Sequence, residues 1–293
     1  MVSSAYYIHD DFCPVRAQVS LVNLAAAQLL RVLPRERISR AVGRLCEQRL
    51  PTLVSGAVSR AYSQVYGVNI REAAAPHGCY RSFDAFFTRS LREGIRPISD
   101  AIIVSPCDGV ISSLGPIDDG ARLFVKGHPY EVGELLGQSN LSRDYIGGHY
   151  AVIYLSPRDY HRVHSPVDGL LRRVLAIPGD CYPVNSWGEK CVPQLFVQNR
   201  RVVFFIEAEG NKTMAVIMVG ALIVGKITVN ALGDRDVSKG LHDLGTGLRI
   251  QRGDEIGAFH LGSTVVLLAQ PGTALSANEG KVVYGQALTR GLA

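Results

Sequence analysis

Two hydrophobic periods divide the chain. Between residues 15 and 67 apolar positions recur at helical spacing, with breaks at Pro34 and Pro51, which predicts helices that end at those prolines. On a helical wheel of 38–50, Ile38, Val42, Leu45 and Cys46 share one face, and Arg37, Arg40 and Arg44 lie opposite. An interfacial helix and a surface helix packed on its own core both show that pattern. After about residue 100 the character changes to short β-branched runs: Ala101–Val104, Val110–Leu114, Tyr150–Leu155, Arg201–Ala208, Met214–Val219, Ile223–Val229 and Thr264–Leu268. Gly, Pro, Asp and Asn separate most of them, which is the mark of an antiparallel β domain. No long helices alternate with these runs, so a doubly wound sheet is not expected. The aromatic-rich stretch 81–97 reads as a partly helical connector. The expected class is α+β. Amphipathic helices occupy 1–75, a connector 76–100, and a mainly antiparallel β-sandwich or barrel-like domain 101–293.

Charge changes this picture in one place. The net +5 is carried by the first hundred residues, with 13 Arg against 8 acidic side chains, whereas the remainder balances at 18 of each. A basic excess confined to one segment fits a polyanion, an anionic membrane surface or a solvated helix face. No stretch reaches the roughly 18 unbroken apolar residues of a transmembrane helix. Val19–Leu33 is interrupted by Ser20, Asn23, Gln28 and Arg31, and the start, with His9, Asp10 and Asp11, has no basic region of a signal peptide. The expectation is a chain that lies on a membrane. The cysteines (Cys13, Cys46, Cys79, Cys107, Cys181 and Cys191) show no CxxC spacing, as expected of reduced thiols in the cytosol. GxxxxGK[ST], GxGxxG and GxSxG are all absent, which removes support for nucleotide chemistry and for a nucleophile elbow.

Three separated segments carry candidate chemistry. Leu261-Gly262-Ser263-Thr264 offers a serine after a glycine. Asp159-Tyr160-His161-Arg162-Val163-His164-Ser165-Pro166 offers two histidines, and Ser105-Pro106-Cys107-Asp108-Gly109 offers a carboxylate. A serine hydroxyl needs a base, and a histidine base needs a carboxylate to fix its tautomer. Ser263, His164 and Asp108 can fill those roles, which points to a serine that attacks its own peptide bond. Singly, each has a plainer reading: Asp108-Gly109 as a turn, Ser263 as a strand start, the histidines as satisfied core groups. His161-x-x-His164 could be half a zinc site, but no third ligand cluster accompanies it, so no metal is expected. Cys107 could be a nucleophile or, more simply, packing. His260 is a rival base, though a residue three before Ser263 along a strand seldom points back at it.

Taken together, these segments resemble the bacterial phosphatidylserine decarboxylases of the short, membrane-associated type. Leu30-Arg31-Val32-Leu33-Pro34 through Ile38-Ser39-Arg40-Ala41-Val42-Gly43 is similar to that family's opening helices, and Phe86-Phe87-Thr88-Arg89 with Arg96-Pro97 to its connector. The Asp108 and His161–His164 blocks, Val219-Gly220-Ala221-x-x-Val224-Gly225 and Gly262-Ser263-Thr264 match its core blocks in order. One departure is Arg200, which stands where the family usually has an acid. The resemblance implies self-cleavage between Gly262 and Ser263, giving a large chain, 1–262, and a small chain of 31 residues, 263–293. It implies that His164 is the base, with Asp108 orienting it. Ser263 would become a covalent pyruvoyl group, the electron sink that decarboxylation requires. His161 would handle the proton at Cα. The implied partners are phosphatidylserine and an anionic membrane contacted through Arg37, Arg40 and Arg44. The implied location is peripheral, on the cytoplasmic side of the cell membrane. A homodimer is compatible with the resemblance, and no nucleic-acid partner is expected. Two other functions use the same residues: a membrane-associated Ser-His-Asp lipid hydrolase, which leaves the chain whole, and a non-catalytic membrane adaptor.

Overall fold

A computed structural model describes residues 35–75, 80–185, 188–189, 192–221 and 226–289 of the chain. The block at Leu30–Pro34, the Val224-Gly225 pair, and Cys13, Cys79 and Cys191 lie outside these residues. From Pro34 onward the chain forms one compact unit.

Helix α1 (Arg35–Glu47) and helix α2 (Thr52–Tyr66) stand where the periodicity predicts them, divided at Pro51. Their orientation departs from the wheel. Among the described side chains of α1, from Arg37 to Glu47, Ser39 is the buried one, while Ile38 and Leu45 are exposed together with Arg37 and Arg44. In α2 the serines face inward: Ser55 and Ser59 are each 1% exposed, whereas Leu53 and Val65 are 85% and 76% exposed. The inner face therefore packs on small and polar groups, with the Ser55 hydroxyl donating to the Tyr80 carbonyl at 2.6 Å. Short helix α3 (Phe83–Phe87) opens with Ser82, whose hydroxyl accepts from the Ala85 N–H at 3.1 Å and satisfies one of the first-turn donors. Two further short helices, α4 (Val132–Leu136) and α5 (Leu195–Gln198), lie within the β region.

Most predicted runs are strands: β1 (Gly109–Pro116), β4 (His149–Leu155), β7 (Arg201–Glu207), β8 (Thr213–Gly220), β9 (Ile227–Val229) and β12 (Ser263–Ala269). Ala101–Val104 is not one, and holds only a single bridge from Val104 to Ala287. Lys281–Tyr284, which the sequence also offers as a strand of the same sheet, is one in part, as β13 (Gly280–Val282), and the structure adds β2 (Arg122–Val125), β3 (His128–Glu131), β5 (Arg162–His164), β6 (Gly169–Ile177), β10 (Gly240–Ile250) and β11 (Glu255–Phe259). An antiparallel sheet runs β10-β6-β7-β8-β12-β4-β1-β13, and a second runs β5-β11-β9. The large sheet ends on β10 and β13 and does not close, so the barrel-like form is not adopted. The smaller sheet packs on it: a Cβ on Gly257 of β11 would stand 3.2 Å from Met218 Sδ and 3.5 Å from the Phe204 ring. All seven residues of β12 are buried, which is why this strand reads as an unbroken apolar run.

Candidate active site

Two connections meet at the site. β4 ends at Leu155, whose Cα partner is Ser263, and β5 pairs with β11. Segment 156–161, which leads from β4 to β5, and turn 260–262, which leads from β11 to β12, therefore bridge the same two ladders. Ser263 also pairs with Gly220 of β8. Asn199, fully buried, donates to the Gly220 carbonyl at 2.8 Å and fixes that edge. Arg200 points elsewhere, donating to Asp236 Oδ1 at 2.7 Å and to the Val237 carbonyl at 2.9 Å.

The turn into Ser263 is strained. Leu261 has φ 93° and Gly262 φ 32°, a region that a Cβ disfavours. Ser263 is fully buried and its Oγ has no hydrogen-bond partner.

His161 is also fully buried. A carbonyl only accepts, so Nδ1–H donates to Asp159 O at 2.9 Å, which leaves Nε2 as a bare acceptor without a partner. Phe87 of α3 covers the ring with centroids 4.1 Å apart. Burial, helped by the nearby Arg89 guanidinium and opposed by the Asp159 carbonyl, pushes the imidazole down to about 3, so it is neutral. Arg89 is 5% exposed. It donates to the carbonyls of Arg158 and Asp159 at 3.2 and 3.3 Å.

His164 stacks on Tyr284 at 4.0 Å, with the rings 6° from parallel. Its Nδ1 donates to the Gly253 carbonyl at 2.7 Å, and its Nε2 faces the Tyr160 hydroxyl at 3.2 Å. Burial pushes this histidine down as well, against the pull of the Gly253 carbonyl. Asp108 is reached by Arg96, with Nη2 at 2.7 Å and Nε at 3.2 Å, and by the Tyr284 N–H at 2.9 Å. Arg96 continues to Glu72 at 2.7 Å. Gly109, the next residue, is required by strand pairing, because a Cβ there would stand 2.5 Å from the Tyr154 carbonyl oxygen.

The structure thus brings Asp108 and His164 together on Tyr284 and sets His161 and Ser263 on the two connections between the sheets, but it does not link these residues as a linear triad. Neither a His164–Asp108 nor a Ser263–His164 hydrogen bond is formed. Asp108 reaches His164 through Tyr284, which holds the carboxylate with its backbone and the imidazole with its ring. Cys107 is completely buried, and burial pushes its thiol well up, so it packs as a neutral group. Arg37, Arg40 and Arg44 are exposed on α1 and take no part in this site.

Sequence reasoning passed over Tyr160, Tyr284 and the anchoring role of Arg96. Tyr160 and Arg96 stand inside the blocks that carry the family resemblance, where a search for partners of Asp108 could have found Arg96. Nothing in the sequence marks Tyr284, which meets His164 only through tertiary pairing.

Residues 83–290 match the family model described as phosphatidylserine decarboxylase. Among curated proteins, the chain is 40% identical over 240 residues to a phosphatidylserine decarboxylase proenzyme of Acinetobacter baylyi, covering 81% of this chain and 84% of that one. It is 38% identical over 250 residues to the proenzyme of that name from Myxococcus xanthus, covering 83% and 89%. The one from Nitrosospira multiformis is 41% identical over 248 residues, covering 81% and 85%. The chain therefore belongs to the phosphatidylserine decarboxylase family.

Proposed function

We propose that this chain cuts itself between Gly262 and Ser263 and then decarboxylates phosphatidylserine to phosphatidylethanolamine with a pyruvoyl group made from Ser263. The observation that carries the reading is the junction itself. An unpartnered, buried hydroxyl follows a backbone turn held on the left-handed side of φ, at the head of a central strand. The Ser263 Oγ would attack the Gly262 carbonyl carbon, replacing the amide by an ester and leaving a free amine on Ser263. Loss of the Ser263 α-proton would expel Gly262 as a carboxylate and leave an unsaturated residue. One water would then convert that residue to a pyruvoyl group with release of ammonia. His164 serves as the base once Nε2 leaves Tyr160, and such bonds are often loose before the reacting geometry forms. Asp108, held by Arg96, supplies the negative charge that steadies an imidazolium.

The residues present suit a pyruvoyl group at position 263. β12 is hydrogen-bonded on both sides, to β4 and β8, so a small chain starting there stays in the sheet after cleavage. When present, the group withdraws electrons from the substrate Cα as CO2 departs. The remaining work belongs to the chain. His161 offers Nε2 for the proton at Cα. The dry surroundings of His161 and Ser263 favour loss of a charged carboxylate. Complete burial of Ser263 is unfavourable to a hydrolase that must admit an external ester to the same hydroxyl.

We also assign the exposed side chains of α1, among them Arg37, Ile38, Arg44 and Leu45, and those of Leu53, Val54, Val58 and Val65 of α2, to an anionic membrane surface on the cytoplasmic side. No described helix is long and apolar enough to cross a membrane. Apolar side chains flanked by arginines are suited to lying in the headgroup region.

The test is the intact mass of the purified, denatured protein. Wild type is expected as two chains, the smaller beginning with a pyruvoyl group, and Ser263→Ala as one uncut polypeptide. His164→Ala and Asp108→Asn should slow maturation, whereas His161→Ala should mature and lose decarboxylation. A single full-length wild-type chain that still turns over substrate would overturn the reading.

A further inference from the structure

The self-cleavage and decarboxylation chemistry leaves His260 unused, yet it is held on three sides. An ionised carboxylate only accepts, so Nδ1–H donates to Asp84 Oδ1, 2.6 Å away, and Nε2 lies 2.8 Å from Thr228 Oγ1. The backbone N–H donates to the Lys226 carbonyl at 3.2 Å. His260 is 8% exposed and Asp84 3%. Arg235 donates to the second Asp84 oxygen at 2.5 Å. Burial pushes the Asp84 carboxyl up, but His260 and Arg235 outweigh it and hold it below the usual range.

Glu47, Asp84 and His260 bring three metal-ligand atoms within 4.8 Å of one another. Two cations already stand there. Lys226 binds Glu47 at 2.6 Å, and Arg235 approaches both carboxylates. The cluster is an ion-pair network, and its geometric output is the fixed position of His260.

The residues just after His260 give that position its use. Leu261 and Gly262 are the strained residues, and Ser263 is locked between β4 and β8. Strained backbone persists only where its surroundings over-determine it. The sheet fixes the Ser263 side of the scissile bond, and the imidazole fixes the acyl side.

We propose that His260 and Asp84 are a positioning pair for self-cleavage. They clamp the acyl side of the Gly262–Ser263 bond so that its carbonyl is presented to Ser263 Oγ, and they have no part in decarboxylation. The proposal rests on the self-cleavage reading of Ser263. It has a built-in end: once the bond is cut, Leu261 and Gly262 become a free C-terminus and the restraint has nothing left to strain. A residue that only supported the fold would affect both reactions. A clamp affects the first alone.

The test compares His260→Gln, Asp84→Asn and the double variant in the full chain. Conversion to large and small chains is followed on denaturing gels after a pulse of synthesis, and decarboxylation is then measured per mole of cleaved chain. Each single variant is expected to slow cleavage by about tenfold or more. The double variant should be no slower than the slower single one, because the two side chains act as one unit. The matured fraction should keep wild-type kcat and KM. Wild-type cleavage rates in the single variants overturn the clamp, as do multiplicative slowing in the double variant or a parallel loss of activity per cleaved chain. Folding is checked by thermal melting in the uncut Ser263→Ala background. If His260→Gln does not melt cooperatively, Asp84→Glu, which retains the charge but displaces it by one methylene, carries the test: slow cleavage with a normal melt supports the clamp, and a wild-type rate overturns it. An uncut wild type removes the self-cleavage reading and the clamp with it. A cut wild type with unaffected variants removes the clamp alone.

Discussion

Among single residues, His161 shows most directly how burial sets chemistry. Its ring is enclosed by Phe87 and by the loop carrying Asp159, beside the Arg89 guanidinium, and its affinity for a proton falls accordingly. An unfolded chain takes up a proton near the ordinary 6.5, whereas the folded chain resists until about 3. Stability from this residue is therefore complete above pH 6.5 and is lost as pH falls below it, by about 1.4 kcal/mol per pH unit. His161→Gln, neutral at every pH, should flatten that part of the dependence. Urea midpoints measured from pH 7 down to 4.5 check this, and an unchanged slope would contradict the neutral, buried state.

At the scale of elements, β12 does two jobs. It begins with Ser263, the serine proposed to cut the chain, and it occupies the middle of the large sheet. All its residues are buried, so Leu267→Ala should cost about 2–5 kcal/mol, as large-to-small changes in close-packed cores do; equilibrium urea unfolding measures it. Pairing on both edges also predicts that the cleaved small chain co-elutes with the large chain in native size-exclusion chromatography and separates only in denaturant. Gly109 governs the neighbouring ladder. Because a Cβ there meets a backbone oxygen of β4, Gly109→Ala should displace Asp108 and lower both the urea midpoint and the cleavage rate. Normal maturation of that variant would show that the β1–β4 contact gives way easily.

The whole molecule divides its surface between a buried reaction centre and an apolar, arginine-bearing outer face. The two kinds of side chain on that face should be separable by salt. Arg37→Gln with Arg44→Gln should weaken binding to phosphatidylserine-containing vesicles by about 1 kcal/mol per charge at low salt, and little at high salt. Leu53→Asn with Val65→Asn should weaken it more, by up to about 1.5–3 kcal/mol per side chain, at either salt concentration. Sedimentation with vesicles reads both. Equal partitioning of all variants would return this face to ordinary solvated surface.

The chain order of residue types determined a good deal by itself. Pro51 set the division between α1 and α2, β-branched runs marked β1, β4, β7, β8 and β12, and the blocks around Asp108, His161, His164 and Ser263 carried the family resemblance, because each depends on neighbours close in sequence. Strands β6 and β10 escaped notice: Arg172, Arg173, His242 and Asp243 interrupt them, and they are made strands by pairing with each other. Contacts between distant segments were beyond reach in the same way. The inward turn of the α2 serines, the place of Tyr284 between Asp108 and His164, and the grip of Asp84 on His260 join residues up to 176 positions apart. Such contacts are set by the packing of sheets and helices in space, which local sequence patterns do not encode.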